Sequence, residues 1–330
     1  MKIIIDNAIP FINGVFEPYC EVQYMSGKEL TTSDIKDADA LLIRTRTKCD
    51  SQFLGTTSVK HIATATIGFD HIDTVYCSEN NIEVSTAAGC NARAVLQWVG
   101  ATLSHLSKVD GWNPSAKTLG VVGVGNVGSL VSHYASLWGF NVICCDPPRQ
   151  EREGGNFISF EQLLSRSDII TFHTPLNEST YHMLNTNTLE MIGANTVIIN
   201  SSRGEVIDTK ALLHSNNRFV MDVWEDEPLI DTKALRRAIL ATPHIAGYSL
   251  QGKANATTIA VQNIANALDL PLKEWCSDVE KVTPKEIRWE QLCETIGEKF
   301  DIESLSNLFK SHHNDFELIR NTYDYRIEYF

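Results

Sequence analysis

The sequence predicts an α/β protein with two doubly wound, Rossmann-like parallel-sheet domains, a cleft between them, and a small C-terminal domain. Three observations predict it. Short apolar runs alternate with helical stretches through the first third of the chain. A second strand–helix series starts at Thr118. That series opens on a glycine turn, Gly123-x-Gly125-x-x-Gly128, set between an apolar run and a helical one.

In the first series, KIIID (2–6), EVQYM (21–25), DALLIR (39–44), HIATA (61–65) and IEVS (82–85) read as strands buried on both faces. The stretch after Ser33, DIKDADA, and residues 71–81 read as helical. Residues 92–109 form a long helix, with Val95, Val99, Leu103 and Leu106 recurring on one side.

In the second series, strands are expected at 118–123, 141–145, 168–172, 196–200, 219–223 and 239–242. Helices are expected near 126–138, 159–165, 186–191, 208–216 and 231–237, the fourth capped by Asp208. A helix over 249–267 then returns to the first domain. This gives residues 1–92 with 250–272 as a substrate-binding domain and 93–249 as a dinucleotide-binding domain. Residues 273–330 form the third, ending in an aromatic tail with Tyr323, Tyr325, Tyr329 and Phe330.

Composition narrows the function. The chain has 330 residues, 43% hydrophobic and 21% charged, which excludes a disordered protein. No apolar run reaches the ~18 residues of a membrane helix. The start, MKIIIDNAIP, lacks the pattern of a signal peptide. The 28 basic and 41 acidic residues give a net charge of −13, which argues against nucleic-acid or anionic-membrane partners. A local basic pocket for a small anion is still compatible with it. The eight cysteines show no C-x-x-C pair and no zinc spacing, so no metal is expected. They read as reduced thiols of a cytoplasmic protein, and Cys144-Cys145 as strand residues.

Gly123 permits a tight turn, Gly125 lets the backbone approach a pyrophosphate, and Gly128 lets the helix pack on the strand. The N–H groups of Asn126 and Val127 stand at the helix start, where partial positive charge favours phosphate. Asp146, at the end of VICCD, is placed to accept from the ribose hydroxyls and repel a 2′-phosphate, which selects NAD over NADP. Arg149 is the competing signal, since an arginine there serves a 2′-phosphate.

Three ionisable residues fall just past strand ends of this domain, where doubly wound sheets bind ligands: Arg203, Glu227 and His244. Together they suit oxidation of an alcohol beside a carboxylate. The guanidinium grips the carboxylate, the imidazole takes the hydroxyl proton, and the glutamate orients the imidazole. His173 falls near the cofactor without serving as the base. In the first domain Arg44, Arg46 and Lys48 concentrate positive charge after a strand end, with Thr45 and Thr47 between them. This suits a phosphate on a small substrate.

The glycine turn with Asp146, NSSRGEVID, DVWEDEP and TPHIAGYS resemble the D-isomer-specific 2-hydroxyacid dehydrogenase family. LLIRTRTK, ATATIGFDHID, AAGCNARAV, CDPPR, TFHTPL, HIAGYSLQGKA and FELIRNTYDYRIEYF are similar, within that family, to a member acting on a small phosphorylated 2-hydroxy acid. The resemblance implies catalytic roles for Arg203, Glu227 and His244. It implies NAD contacts at Asn126, Val127, Asp146, Thr174, Asp222 and Gly247, and substrate contacts at Thr45, Thr66 and Tyr248, joined by Arg44 of the basic loop. It also implies a homodimer formed by an α+β C-terminal domain. Relatives specific for 3-phosphoglycerate or glycerate, and NAD-sensing corepressors on the same fold, are the competing readings.

Overall fold

The computed structural model describes residues 1–330, which divide into two compact units: Met1–Asn91 with Leu250–Lys281, and Ala92–Ser249 with Val282–Phe330.

The first unit is a parallel sheet of β1 (Lys2–Asp6), β2 (Glu21–Met25), β3 (Ala40–Ile43), β4 (His61–Thr64) and β5 (Glu83–Thr86), in the order β2-β1-β3-β4-β5. Its central strands carry apolar residues on both faces, as at 3–5, Ala40–Ile43 and 62–63, because successive side chains leave opposite faces and both faces are covered. Ile3, Ile5, Leu42 and Ala63 pack against Ala260, Val261 and Ile264 of the helix Leu250–Ala267. Ile4, Leu41, Ile43 and Ile62 pack on the other side with Ile35, Leu54 and Cys77.

The second unit repeats the plan with β6 (Thr118–Val122), β7 (Asn141–Cys145), β8 (Ile169–Phe172), β9 (Val197–Asn200) and β10 (Arg218–Met221). The order is β10-β9-β8-β6-β7, the same winding as the first sheet when counted within the unit. Leu119 and Val121 face the core made with the helix Ala92–Asp110, and Val122, Ile170 and Phe172 face the opposite one. Asp208 caps its helix as expected, accepting from Ala211 N–H at 3.0 Å. Both Cys144 and Cys145 lie on β7, and burial pushes the Cys145 thiol up to about 11.

The structure corrects four expectations. Residues 239–242 form no strand, only a bridge from Ala241 to Met221. The backbone still runs beside β10, with Ile239 N–H on Phe219 O and Thr242 N–H on Met221 O, but Pro243 has no N–H to extend the ladder. The segment after Ser33 is a chain of turns, because Asp34 accepts from the Thr31 N–H and hydroxyl and Ala40 already begins β3. The helix expected over 71–81 is confined to Thr74–Glu79, since Ile72 bridges to Cys49 and Asp73 serves as the cap. The C-terminal region is helical rather than α+β. It has helices at Trp289–Lys299, Ile302–Ser311 and Phe316–Asn321, and one bridge, Ser249 to Arg326. Trp289, Leu292, Ile296, Phe300, Ile302 and Phe330 join the core of the second unit, and an apolar spacing of three to four residues is helical. No helix is long and apolar enough to cross a membrane.

Candidate functional site

β6 ends at Val122 and the chain turns sharply at Gly123, where φ is +82°. A Cβ there would come within 2.8 Å of the His173 carbonyl oxygen, so no other residue fits without displacing backbone. Gly128 approaches more closely still: a Cβ would sit 1.9 Å from the Gly123 oxygen. Gly125 is different. It is exposed, a Cβ on it would meet nothing within 4 Å, and the helix it begins, Asn126–Leu137, has no side-chain cap. The first N–H groups of that helix therefore face an open approach, as a pyrophosphate requires. Thr174 Oγ1, beyond the end of β8, is buried without a partner. These features fit a dinucleotide.

Asp146 follows β7. Its Oδ2 accepts from the Val124 N–H at 2.7 Å and its Oδ1 from the Arg149 N–H at 2.9 Å. The carboxylate is thereby pinned beside the glycine turn, and each oxygen keeps a further lone pair for a ribose hydroxyl. Arg149, the competing signal, is turned onto the protein. Its Nη1 donates to the Val124 carbonyl at 2.6 Å and to Ser129 Oγ at 2.9 Å, and its Nε to Glu153 at 2.8 Å. We expect Asp146→Ala to raise KM for NAD by about tenfold or more, the loss of a hydrogen bond to a charged group, and to narrow the NAD-to-NADP ratio of kcat/KM. Equal turnover of NADP and NAD by the natural protein would overturn this and move attention to Arg149.

Arg203 stands three residues past β9, with Nη1 donating to the Ser202 carbonyl at 2.7 Å. Asn200 braces this turn, accepting from Ser202 N–H and donating to the Arg203 carbonyl. The next residue, Gly204, lies so close to the loop after β10 that a Cβ would be 1.9 Å from the Trp224 carbonyl carbon. Backbone contact thus sets the arginine turn against the segment carrying Glu227.

Glu227 and His244 meet directly: Oε2 is 2.7 Å from Nδ1. Glu227 Oε1 accepts from the Trp224 N–H at 2.9 Å, so both oxygens are fixed. Burial pushes the Glu227 carboxyl up, but the His244 ring, the Trp224 N–H and the charge of Arg320 outweigh it and hold it below its ordinary range. His244 has φ +58°, a left-handed conformation that needs support from its surroundings.

Asp222, one of the expected NAD contacts, is only 1% exposed. Its carboxylate accepts from the N–H groups of Ile245 and Ala246 at 2.8 and 2.9 Å and from the Thr242 hydroxyl at 2.5 Å. Burial pushes its pKa up against these bonds. In the structure it is a clamp on the His244 loop. Gly247 and Tyr248 continue that loop, and Tyr248 accepts from Arg320 Nε at 3.1 Å. Sequence reading missed Arg320, since 72 residues separate the pair and no spacing announces it. Desolvation lowers His173 to about 3, so the ring is neutral; its Nε2 is 3.0 Å from Thr171 Oγ1.

In the first unit, Arg44 directly follows β3 and is half-buried, its Nη1 donating to the Ala8 carbonyl at 3.0 Å. Thr45 and Arg46 are exposed. Thr47 is turned inward, donating to the Gly27 carbonyl, and Lys48 pairs with Asp50 at 3.0 Å. Thr66, past β4, shares a 2.6 Å hydrogen bond with Thr64 and donates to the Gly68 carbonyl. The basic loop is therefore narrower than its composition suggests.

A family model described as D-isomer specific 2-hydroxyacid dehydrogenase, NAD binding domain, matches residues 91–246. The erythronate-4-phosphate dehydrogenase of Bacteroides fragilis (strain YCH46) is 42% identical, over 99% of this chain and 97% of its own length. The protein of that name from Proteus mirabilis (strain HI4320) is 43% identical over 78% of this chain and 72% of its own. Among solved structures, a NAD⁺-bound 3-phosphoglycerate dehydrogenase of Entamoeba histolytica superposes with TM-score 0.68 at 25% identity, covering 85% of this chain and 99% of its own. A glyoxylate reductase of Paecilomyes thermophila gives TM-score 0.70 at 24% identity, covering 82% and 95%.

Proposed function

From the premise that the chain belongs to the erythronate-4-phosphate dehydrogenases of the D-isomer-specific 2-hydroxyacid dehydrogenase family, we propose that it oxidises 4-phospho-D-erythronate to 2-oxo-3-hydroxy-4-phosphobutanoate with NAD, in pyridoxal 5′-phosphate biosynthesis. The observation that carries the reading is the 42% identity sustained over 99% of the chain.

Arg203 grips the substrate carboxylate through two parallel hydrogen bonds and so fixes C1 and C2. His244 Nε2 takes the C2 hydroxyl proton, while its Nδ1–H stays on Glu227 and stabilises the cationic ring. NAD, when bound, supplies the acceptor for the hydride leaving C2. Asn126 and Val127 hold the pyrophosphate with backbone N–H groups, Asp146 the ribose, and Thr174, Asp222 and Gly247 line the remaining cofactor contacts. Tyr248 contacts the substrate, and Arg44, Thr45 and Thr66 bind its phosphate end.

The partner is a second copy of this chain. Leu318, Tyr325 and Ile327, at 59%, 39% and 61% exposure, put apolar surface on the C-terminal segment that a homodimer would cover. The cytoplasm is the compartment, as eight free cysteines suit a reducing environment.

The test is absorbance at the reduced-nicotinamide band on adding phosphoerythronate, 3-phosphoglycerate or glycerate. Turnover fastest with phosphoerythronate is expected. Preference for either other acid overturns the substrate, and NAD binding without turnover of any overturns the enzyme in favour of a sensor.

The phosphate assignment has its own test. Apart from its bond to Ala8, the Arg44 fork keeps its other N–H donors for a ligand. Arg44→Ala is expected to cost about 1.5–3 kcal/mol in kcat/KM for phosphoerythronate, the range for a hydrogen bond to a charged group. Unphosphorylated erythronate is expected to lose far less. Equal losses on both substrates would make Arg44 a brace for the Ala8 loop.

A further inference from the structure

The loop that carries His244 is held from two sides. From the sheet side, Asp222 accepts the N–H groups of Ile245 and Ala246. From the other, Arg326 of the C-terminal tail takes their carbonyls: Nη1 donates to Ile245 O at 3.2 Å, and Nη2 to Ala246 O and, at 2.8 Å, to Ala94 O. The two residues that follow His244 therefore each have both N–H and C=O bonded, to a fixed anion and a fixed cation. Arg326 is 6% exposed and its guanidinium lies 4.5 Å from the Phe300 ring centre. Burying a charge is costly unless it is well bonded, and the two Nη groups meet that cost with bonds to three carbonyls and to the Tyr323 hydroxyl, while Nε has no partner.

The tail grips the same loop twice more. Ser249 donates to Glu328 at 2.6 Å beside the Ser249–Arg326 bridge. Arg320 donates to the Tyr248 hydroxyl and lies 5.8 Å from that ring's centre. Its charge also favours the ionised Glu227. So the backbone on which His244 rides and Tyr248 on the same loop are both held by two arginines near the end of the chain.

We propose that Arg326 and Arg320 are positioning residues for the reaction: Arg326 fixes the backbone that aims His244, and Arg320 fixes Tyr248 on the same loop. The inference rests on the reading of His244 as the proton acceptor. It gives the C-terminal tail a part in catalysis within its own chain, through contacts that a second copy does not supply.

The test uses full-length Arg326→Lys and Arg320→Gln with phosphoerythronate and with substrate deuterated at C2, alongside NADH titration by fluorescence and thermal melting. Lysine keeps the charge but is a single point donor that cannot span three carbonyls. Arg320→Gln is expected to keep NADH affinity within about twofold, since the glycine turn and Asp146 are untouched; in Arg326→Lys, where Gly247 adjoins the freed Ala246, kcat is measured at saturating cofactor. In Arg326→Lys, kcat is expected to fall by ~10–10²-fold, the order of effect of a sub-ångström to 1 Å misplacement. In Arg320→Gln it is expected to fall by about tenfold. The deuterium effect on kcat is expected to rise in both, because a misaimed base slows the step in which C2–H breaks. A role confined to folding would lower the active fraction and leave the isotope effect alone. Folded variants with unchanged kcat and isotope effect overturn the proposal. If Arg326→Lys does not fold, Arg320→Gln decides by the same readouts. No turnover in the natural protein would overturn the reaction itself, a result distinct from an active protein indifferent to both substitutions.

Discussion

His244→Ala is expected to lower kcat by ~10²–10⁴, the usual share of a general acid–base group, with NAD affinity nearly unchanged. Glu227 at 2.7 Å holds the imidazole by Nδ1 and so leaves Nε2 for the substrate. The glycine turn and Asp146 that receive the cofactor are built on β6 and β7, which the substitution does not touch. Near-normal turnover in the variant would overturn the assignment. The same variant carries a second signature. In the natural protein the Glu227 pKa is lowered on folding, so its stabilisation is present above the unfolded value of ~4.3 and is lost as pH falls through the folded one. Without His244 the two largest causes that lower this carboxyl are removed and its pKa moves up. Melting temperature measured from pH 7 downward is then expected to fall less steeply than in the natural protein. Parallel curves would show that the pairing energy lies elsewhere.

Much of this was legible in the sequence, for identifiable reasons. The strands of both sheets announce themselves because parallel strands covered on both faces need unbroken apolar runs, as in ALLI and VIIN. Arg203 and Glu227 were legible because they sit just past such runs, where a doubly wound sheet binds its ligands. The run at 239–242 misled because it does lie beside β10 with Leu240 and Ala241 buried, but Pro243 stops the ladder before it becomes a strand. Thr47 misled because a hydroxyl between two cations looks available, and only the tertiary fold turns it to Gly27. Arg326 and Arg320 were not legible at all. Their partners on the His244 loop and at Ala94 lie 72 to 232 residues away, and pairwise contact over such separations leaves no periodicity to read.

Glu227→Gln is expected to lower kcat by ~10²–10⁴ although it removes no atom from the site, and the reason lies in hydrogen-bond direction. In the natural protein Oε1 accepts from the Trp224 N–H at 2.9 Å and Oε2 faces His244 Nδ1 at 2.7 Å. A glutamine has one oxygen for these two places. The Trp224 N–H is a donor and cannot face an amide NH₂, so the glutamine oxygen must take that position. The NH₂ group is left opposite Nδ1, which must then act as acceptor, and the imidazole proton moves to Nε2. In that tautomer the ring presents a donor where the reaction requires a lone pair, and it cannot take the substrate proton without first breaking its bond to residue 227. The same inversion in a Ser-His-Asp triad costs about 10⁴ in kcat. Because the shape of the pocket and the cofactor turn are untouched, KM for NAD is expected to stay within about twofold and kcat to carry the loss. Reduction of the 2-oxo acid, which needs a protonated His244, is expected to fall as well, since the cationic ring loses the carboxylate that stabilises it. A glutamine variant with normal kcat in both directions would show that the carboxylate neither selects the tautomer nor supports the charge. A loss confined to KM would place Glu227 in substrate binding instead.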